Sequence, residues 1–270
     1  MASRLRLPTR AQDDVRMTLI EHLGELRSRI IKIAVVFVLV AVVAWFFRVD
    51  VFNALIEPAG NELDKLSVTS VAEQVISDLK LALYVAFVIT IPVLLYQIWA
   101  FVAPAVGEMG RIQTYTIIAL ASSLFLAGIA FGYFVVLPIG INFLLGWDQS
   151  RYELIITPTN YLAFVTRFLL AFGIVFELPA ATYVGAKLGL ITAPTLKKYR
   201  RHSILVNALL AAALTPTPDP FSMILMMGPM VLMYELSIII AGYVNPVSPE
   251  TELDTLDDED EDYYDDEDDS

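Results

Sequence analysis

Apolar residues in this chain are gathered into long blocks, with polar residues confined between them. Ile30 to Phe47, Leu79 to Ala103, Ile112 to Ile139, Tyr161 to Leu190, Ser203 to Leu214 and Phe221 to Val244 are six such blocks. At a helical rise of ~1.5 Å per residue, most are long enough to cross about 30 Å of hydrocarbon. The pattern predicts an all-α membrane protein with six transmembrane helices. The fifth block stands apart: His202 to Pro216 leaves room for about 13 apolar residues, roughly 20 Å of helix. The tight "TPTPDPF" connection then starts the sixth helix, with Pro220 suited to a first helical turn. Short helices five and six beside four longer ones predict a lopsided bundle, concave on one side, where the membrane is thinned.

Polar breaks between the blocks carry their own signals. Residues 48 to 78 are too long for a simple turn and contain a Pro-Ala-Gly break from Pro58 to Gly60. In the following "SVTSVAEQVISDLK", Val71, Val75, Ile76 and Leu79 recur at helical spacing. That spacing predicts an amphipathic outer helix leading into the second span. A second outer segment, roughly 140 to 160, holds Trp147 and Tyr152 with Tyr161 just beyond, as interfacial aromatics would be placed.

Composition agrees with the pattern: 57% of residues are hydrophobic and mean hydropathy is +0.63, too apolar for an ordinary soluble domain. The net charge of −12 is misleading. Fourteen of the 30 acids lie from Glu250 onward, leaving 16 acids against 18 Lys and Arg in the body. The tail "DDEDEDYYDDEDDS" has almost nothing to bury and repels itself, so it is expected to be a disordered, solvated segment. The chain therefore divides into a basic extension (1–16), a transmembrane domain (17–248) and an acidic tail (249–270). Residues 1 to 29 carry six arginines but no apolar core, so no cleavable signal peptide is expected.

Positive charge sets the orientation. With the N-terminus inside, 13 Lys and Arg fall on inner segments and 5 on outer ones, which predicts both ends in the cytoplasm. The absence of cysteine excludes disulfides and thiolate metal sites, and His22 and His202 alone make a histidine metal centre improbable. No nucleotide loop or nucleophile constellation is present, so neither an enzyme, a cofactor, a metal nor a nucleic acid is expected.

Two acids stand out. Glu177 lies inside the apolar "AFGIVFELPA" of the fourth span, with Pro179 just beyond it. An acid within a span costs roughly 2.5–3.5 kcal/mol on insertion scales. It is tolerated when it faces protein, a wet cavity or a partner, or when it is protonated. The bland reading is a protonated acid bonded within the bundle; the functional one is an acid facing a cavity. That cavity would serve either a secondary transporter or proton channel, or a receptor that binds another transmembrane helix. No convincing internal repeat supports the transporter. Arg167 and Lys187 are expected to anchor span ends, and Glu235 to act as an anchor or an internal hydrogen-bonding group. Before the first span, "LIEHLGELRSRI" places Glu25 one turn before Arg29, which by itself predicts an ordinary i,i+4 pair.

Several motifs in order carry a resemblance. "HLGELRSRI" (22–30), "IPVLLYQIWAFVAPA" (91–105), "FGYFVVLPIG" (131–140), "AFGIVFELPA" (171–180) and "LTPTPDPFSM" (214–223) resemble those of the TatC family. That family comprises the multi-span receptor subunits of the twin-arginine protein translocase. The likeness covers roughly residues 17 to 244. It implies a receptor in the cytoplasmic (inner) membrane that binds twin-arginine signal peptides of folded cargo. It also implies self-association in a receptor complex and recruitment of small single-span TatA/TatB-type subunits for export driven by the proton gradient.

By the same resemblance Glu25 is one acid that receives the arginine pair, with Arg27 close by and Phe101 near the signal peptide. Paired guanidinium groups favour carboxylates because these accept bidentate bonds. The family's second acid follows in the first inner loop. Here that position aligns with Gly110, and Glu108, flanked by Gly107 and Gly110, is expected to take its place. Met223 stands where some relatives carry a polar residue for a single-span partner, and Asp219 matches a family acid that also makes a good N-cap before Pro220. With Glu177 these form the expected intramembrane partner site. Pro58, Pro92 and Pro220 are the expected structural prolines.

Overall fold

The computed structural model describes residues 19–62, 66–106, 111–146, 155–214 and 220–245. The basic extension, Glu108, Asp219, Trp147, Tyr152 and the acidic tail lie outside the described residues.

Among the described residues the elements are helical. They run α1 (Leu19–Phe46), α2 (Arg48–Ile56), α3 (Glu73–Val106), α4 (Arg111–Phe131), α5 (Leu137–Gly146), α6 (Pro158–Phe176), α7 (Leu178–Lys187), α8 (Ala193–Lys198), α9 (Arg200–Leu214) and α10 (Pro220–Val244). Five stretches are long and apolar enough to cross a membrane: Gly24–Phe46, Glu73–Phe101, Thr114–Gly146, Pro158–Lys187 and Pro220–Val244. Val35, Val38, Leu39, Val42, Val43 and Phe46 of α1 are all more than half exposed. Water would not tolerate such a surface, whereas lipid does. The molecule is a multi-span membrane protein.

The sixth crossing is α9. Its 15 residues climb roughly 22 Å, as the short fifth block predicts. The expectation of a short sixth helix is corrected, because α10 spans 25 residues. Pro229 sits inside α10 without ending it, and the apolar run continues to Val244, so the proline breaks one bond and not the helix.

The outer connection also differs from expectation. The helix between the first two spans is α2, while Val75, Ile76 and Leu79 belong to the first turns of α3 and are exposed. Three bonds hold α2. Arg48 Nε donates to Asp78 Oδ2 at 3.1 Å, Tyr133 Oη donates to Ala54 O at 2.6 Å, and Tyr161 Oη donates to Leu55 O at 2.8 Å. The tyrosines satisfy carbonyls that a helix end leaves without partners. Pro58 lies in the 3-10 turn that follows.

Close packing centres on α4 and α6. At Gly128 a Cβ would stand 2.5 Å from Phe172 O, and at Gly173 one would stand 2.7 Å from Phe125 Cε2. Small residues let the two helices approach to near backbone contact. Phe125 and Phe172, 1% exposed each, fill the space on either side. A π-helical turn, Gly132–Val136, joins α4 to α5 and leaves Gly132 buried against Leu169 and Phe172. In contrast, α1 rests almost entirely on α3.

Candidate functional site

Chain direction brings the start of α1, the ends of α3, α7 and α10, and the starts of α4, α8 and α9 to one side of the molecule. Arg27, Arg29, Lys32, Lys187, Lys197, Lys198, Arg200 and Arg201 gather there, so this is the basic side. At its rim α1 is fastened to α3 by one guanidinium. Arg29 Nη1 donates to Gln97 Oε1 at 3.1 Å and Nη2 donates to Ala100 O at 3.0 Å. Arg29 Nε donates to Glu25 Oε1 at 3.1 Å, and Nη2 bonds the same oxygen. The planar guanidinium can hold a carboxylate, an amide oxygen and a carbonyl at once because its donors are fixed in a fork.

Side chains of Glu25 and Arg29 are 23% and 17% exposed. The i,i+4 pair foreseen from the sequence is therefore present, but it is part of a tertiary joint and not a solvated surface pair. Arg27, expected beside the acid, is exposed; Arg29, itself bonded to Gln97, holds Glu25. Gln97 was missed, although a glutamine inside the apolar "LLYQIWAF" is a visible signal. Phe101 follows Ala100 directly and is half-buried at the same rim. The connection that carries Glu108 joins the end of α3 to the start of α4 on this side, where the Tyr96 and Tyr115 rings stack at 6.4 Å between centroids.

Arg29→Lys is expected to loosen this joint. A lysine ammonium cannot reach Glu25, Gln97 and Ala100 together, and losing charge-assisted bonds costs about 1–3 kcal/mol. Hydrogen exchange by mass spectrometry should then show amides of residues 24–32 exchanging roughly tenfold faster or more. Unchanged exchange would mean the guanidinium fork is not what secures α1.

The intramembrane acid sits at a helix break. Glu177 separates α6 from α7, with φ −77° and ψ −15°. Pro179 cannot donate to Val175, and the backbone turns before the helix resumes with Ala181 N bonding Glu177 O at 2.8 Å. Glu177 is half-buried, and its Oε1 is buried with no hydrogen-bond partner among the described residues. A buried polar atom left in this way is costly. Glu177 is the twentieth residue of the stretch Pro158–Lys187, so it lies nearer the basic side than the middle.

Met223 is half-buried in the first turn of α10, close to the far side. The structure therefore does not bring Met223 and Glu177 together at one depth. Pro220 begins α10 and is exposed; Pro92 is exposed within the unbroken α3. Glu235, on α10, pairs with Arg200 Nη2 at 2.7 Å, an exposed ion pair between the start of α9 and α10. No group of three or more metal-ligating side chains occurs among the described residues.

Long apolar helices, a carboxylate held at one rim by tertiary bonds and a lone acid at a helix break define the class as a polytopic α-helical membrane protein. Residues 21–229 match the family model described as TatC, Sec-independent protein translocase protein. The chain belongs to the TatC family. The TatC protein of Carboxydothermus hydrogenoformans is 39% identical over 235 residues, covering 87% of this chain and 96% of that protein. The TatC protein of Aquifex aeolicus is 34% identical over 230 residues, covering 83% and 94%. A solved crystal structure described as the twin arginine translocase receptor TatC superposes with a TM-score of 0.75 at 33% identity. It covers 83% of this chain and 99% of that one.

Proposed function

We propose that this protein is the core receptor of a twin-arginine translocation system, without catalytic activity, in the cytoplasmic membrane with both termini in the cytoplasm. Glu25 accepts one guanidinium of the cargo's arginine pair, and Glu108, on the neighbouring loop, accepts the other. Phe101 provides the apolar surface beside them, and Arg27 lies at the outer edge of the site. The observation that carries this reading is the Glu25 carboxylate, held at the basic rim by a guanidinium that is itself bonded to α3. A rigidly held carboxylate loses little freedom when an incoming arginine binds, which favours affinity. Further support comes from the likeness to the crystal structure of a twin-arginine translocase receptor.

The test is binding of a synthetic signal peptide to the full-length protein in nanodiscs. Binding that discriminates Arg-Arg from Lys-Lys supports the receptor. Equal affinity for both would remove it and leave a secondary transporter or proton channel using Glu177 as the better reading.

In this proposal the small single-span TatA/TatB-type subunits dock on the concave side of the bundle. Glu177 meets a polar group of the partner helix, and Met223 packs apolar surface beside Asp219 near the far side. Copies of the receptor associate with one another, and the proton gradient drives export. The unsatisfied Glu177 Oε1 supports this arrangement. Glu177→Leu should abolish site-specific crosslinking to the single-span subunits and export of cargo. The same change should leave Tm unchanged or raised, because replacing an unsatisfied buried acid by an apolar isostere removes a desolvation penalty. A variant that keeps its crosslinks would assign the acid no part in docking.

A further inference from the structure

We propose that Lys80 and Arg167 form, beside the Ser77–Thr159 hydroxyl pair, a site for the phosphate of a net-anionic phospholipid on the far side of the bundle. The two cations line one cavity of about 210 Å³ between α3 and α6. Ser77, Thr159, Ala163 and Thr166 contribute to the same walls, and no carboxylate does.

Charge balance is the first argument. Neither Lys80 nor Arg167 makes a hydrogen bond or ion pair with another described residue. The acids closest along α3 are already engaged. Asp78 Oδ2 accepts from Arg48 Nε at 3.1 Å, and Glu73 Oε2 accepts from Thr69 N at 2.8 Å and Thr69 Oγ1 at 2.9 Å. Lys80 is seven residues into α3 and Arg167 nine residues into α6, roughly 10 and 14 Å along their axes. Both side chains are exposed, and two unneutralised cations lining one cavity call for an anion.

Hydrogen-bonding capacity is the second. Ser77 Oγ and Thr159 Oγ1 lie 2.9 Å apart and Thr159 also bonds the Glu73 carboxylate, so Ser77 donates to Thr159, Thr159 donates to Glu73, and both hydroxyl protons are used within the protein. Thr166 Oγ1 spends its proton on Leu162 O at 2.6 Å and is an acceptor only. The donors left for a ligand are a guanidinium fork and an ammonium. A phosphate, with several acceptor oxygens and a geometry suited to arginine, matches that set.

Surroundings favour a lipid over a free ion. Leu83, one turn beyond Lys80, is 40% exposed, and Ile174, two turns beyond Arg167, is 58% exposed. Both continue the faces of the two cations toward the centre of the span, where acyl chains attached to the phosphate would lie. The charge excess selects phosphatidylglycerol over a zwitterionic lipid.

Native mass spectrometry of the full-length protein in neutral detergent, titrated with phosphatidylglycerol or with phosphatidylcholine of the same chains, tests this. The wild type should retain phosphatidylglycerol at roughly tenfold lower concentration. K80Q/R167Q should lose that preference while keeping its helical circular dichroism, and K187Q, altered at the opposite end of the span, should keep it. If K80Q/R167Q does not fold, the charge-conserving K80R/R167K, which should still prefer phosphatidylglycerol, takes its place. Equal retention of both lipids by the wild type, preference surviving in K80Q/R167Q, preference lost in K80R/R167K, or displacement of the lipid by millimolar inorganic phosphate would each overturn the assignment.

Discussion

Glu25→Ala should weaken binding of a twin-arginine peptide about 100-fold and erase its preference for Arg-Arg over Lys-Lys. A charge-assisted bond to an incoming guanidinium contributes roughly 1.5–3 kcal/mol, and each 1.4 kcal/mol is a factor of ten in affinity. The fold should survive the change. Arg29 loses its carboxylate partner but keeps Gln97 Oε1 and Ala100 O, so α1 stays fastened to α3. Binding and stability therefore separate. Glu25→Gln, which keeps the shape and an acceptor but removes the charge, should fall between wild type and alanine. Fluorescence anisotropy of a labelled peptide against the full-length protein, with Tm measured in parallel, reads both quantities. A 100-fold loss with unchanged Tm supports the receptor reading. An equal loss in a variant that melts early would show only that the rim had collapsed.

Gly128→Ala carries the largest structural effect. The added Cβ would stand 2.5 Å from Phe172 O and 2.8 Å from Phe176 Cβ. Neither atom can swing aside, since one is backbone and the other is fixed to it. α4 and α6 must separate, and the buried packing around Phe125 and Phe172 opens with them. Overpacking of this kind costs about 3 kcal/mol, a Tm drop of roughly 10 °C. Gly228→Ala is the control, because nothing lies within 4 Å of its added methyl; it should melt at or slightly above the wild-type temperature, alanine being the better helix former. If the two variants melt together, close approach at Gly128 is not what holds the bundle.

Chain order alone made much of this molecule readable. The apolar blocks locate every span, because insertion into hydrocarbon depends on the summed polarity of about twenty consecutive residues, a local property. One helix start was readable for a similar reason: Pro220 opens α10 because proline suits a first turn, while Pro158 opens α6 three residues before the apolar block begins at Tyr161. Thr157 Oγ1 accepts from Asn160 N as an ordinary cap. The bend at Glu177 follows from Pro179, two residues away. Where contiguous residues decide the outcome, inspection of the chain suffices.

Partners distant along the chain were another matter. Glu25–Arg29 reads as a routine surface pair until Gln97 and Ala100, about 70 residues on, close around the guanidinium. The outer helix expected around Val71 to Leu79 starts at Glu73 as the beginning of α3, but α2, held by Tyr133 and Tyr161 at its last carbonyls, was not foreseen. Gly128 looks like any glycine in an apolar block; only the opposing backbone of Phe172 makes it indispensable. Which stretches cross the membrane was thus settled by the sequence itself, since lipid responds to composition. Which residues hold them together was decided by the tertiary structure, since hydrogen bonds and steric contacts act over a few ångströms between groups that no local pattern pairs.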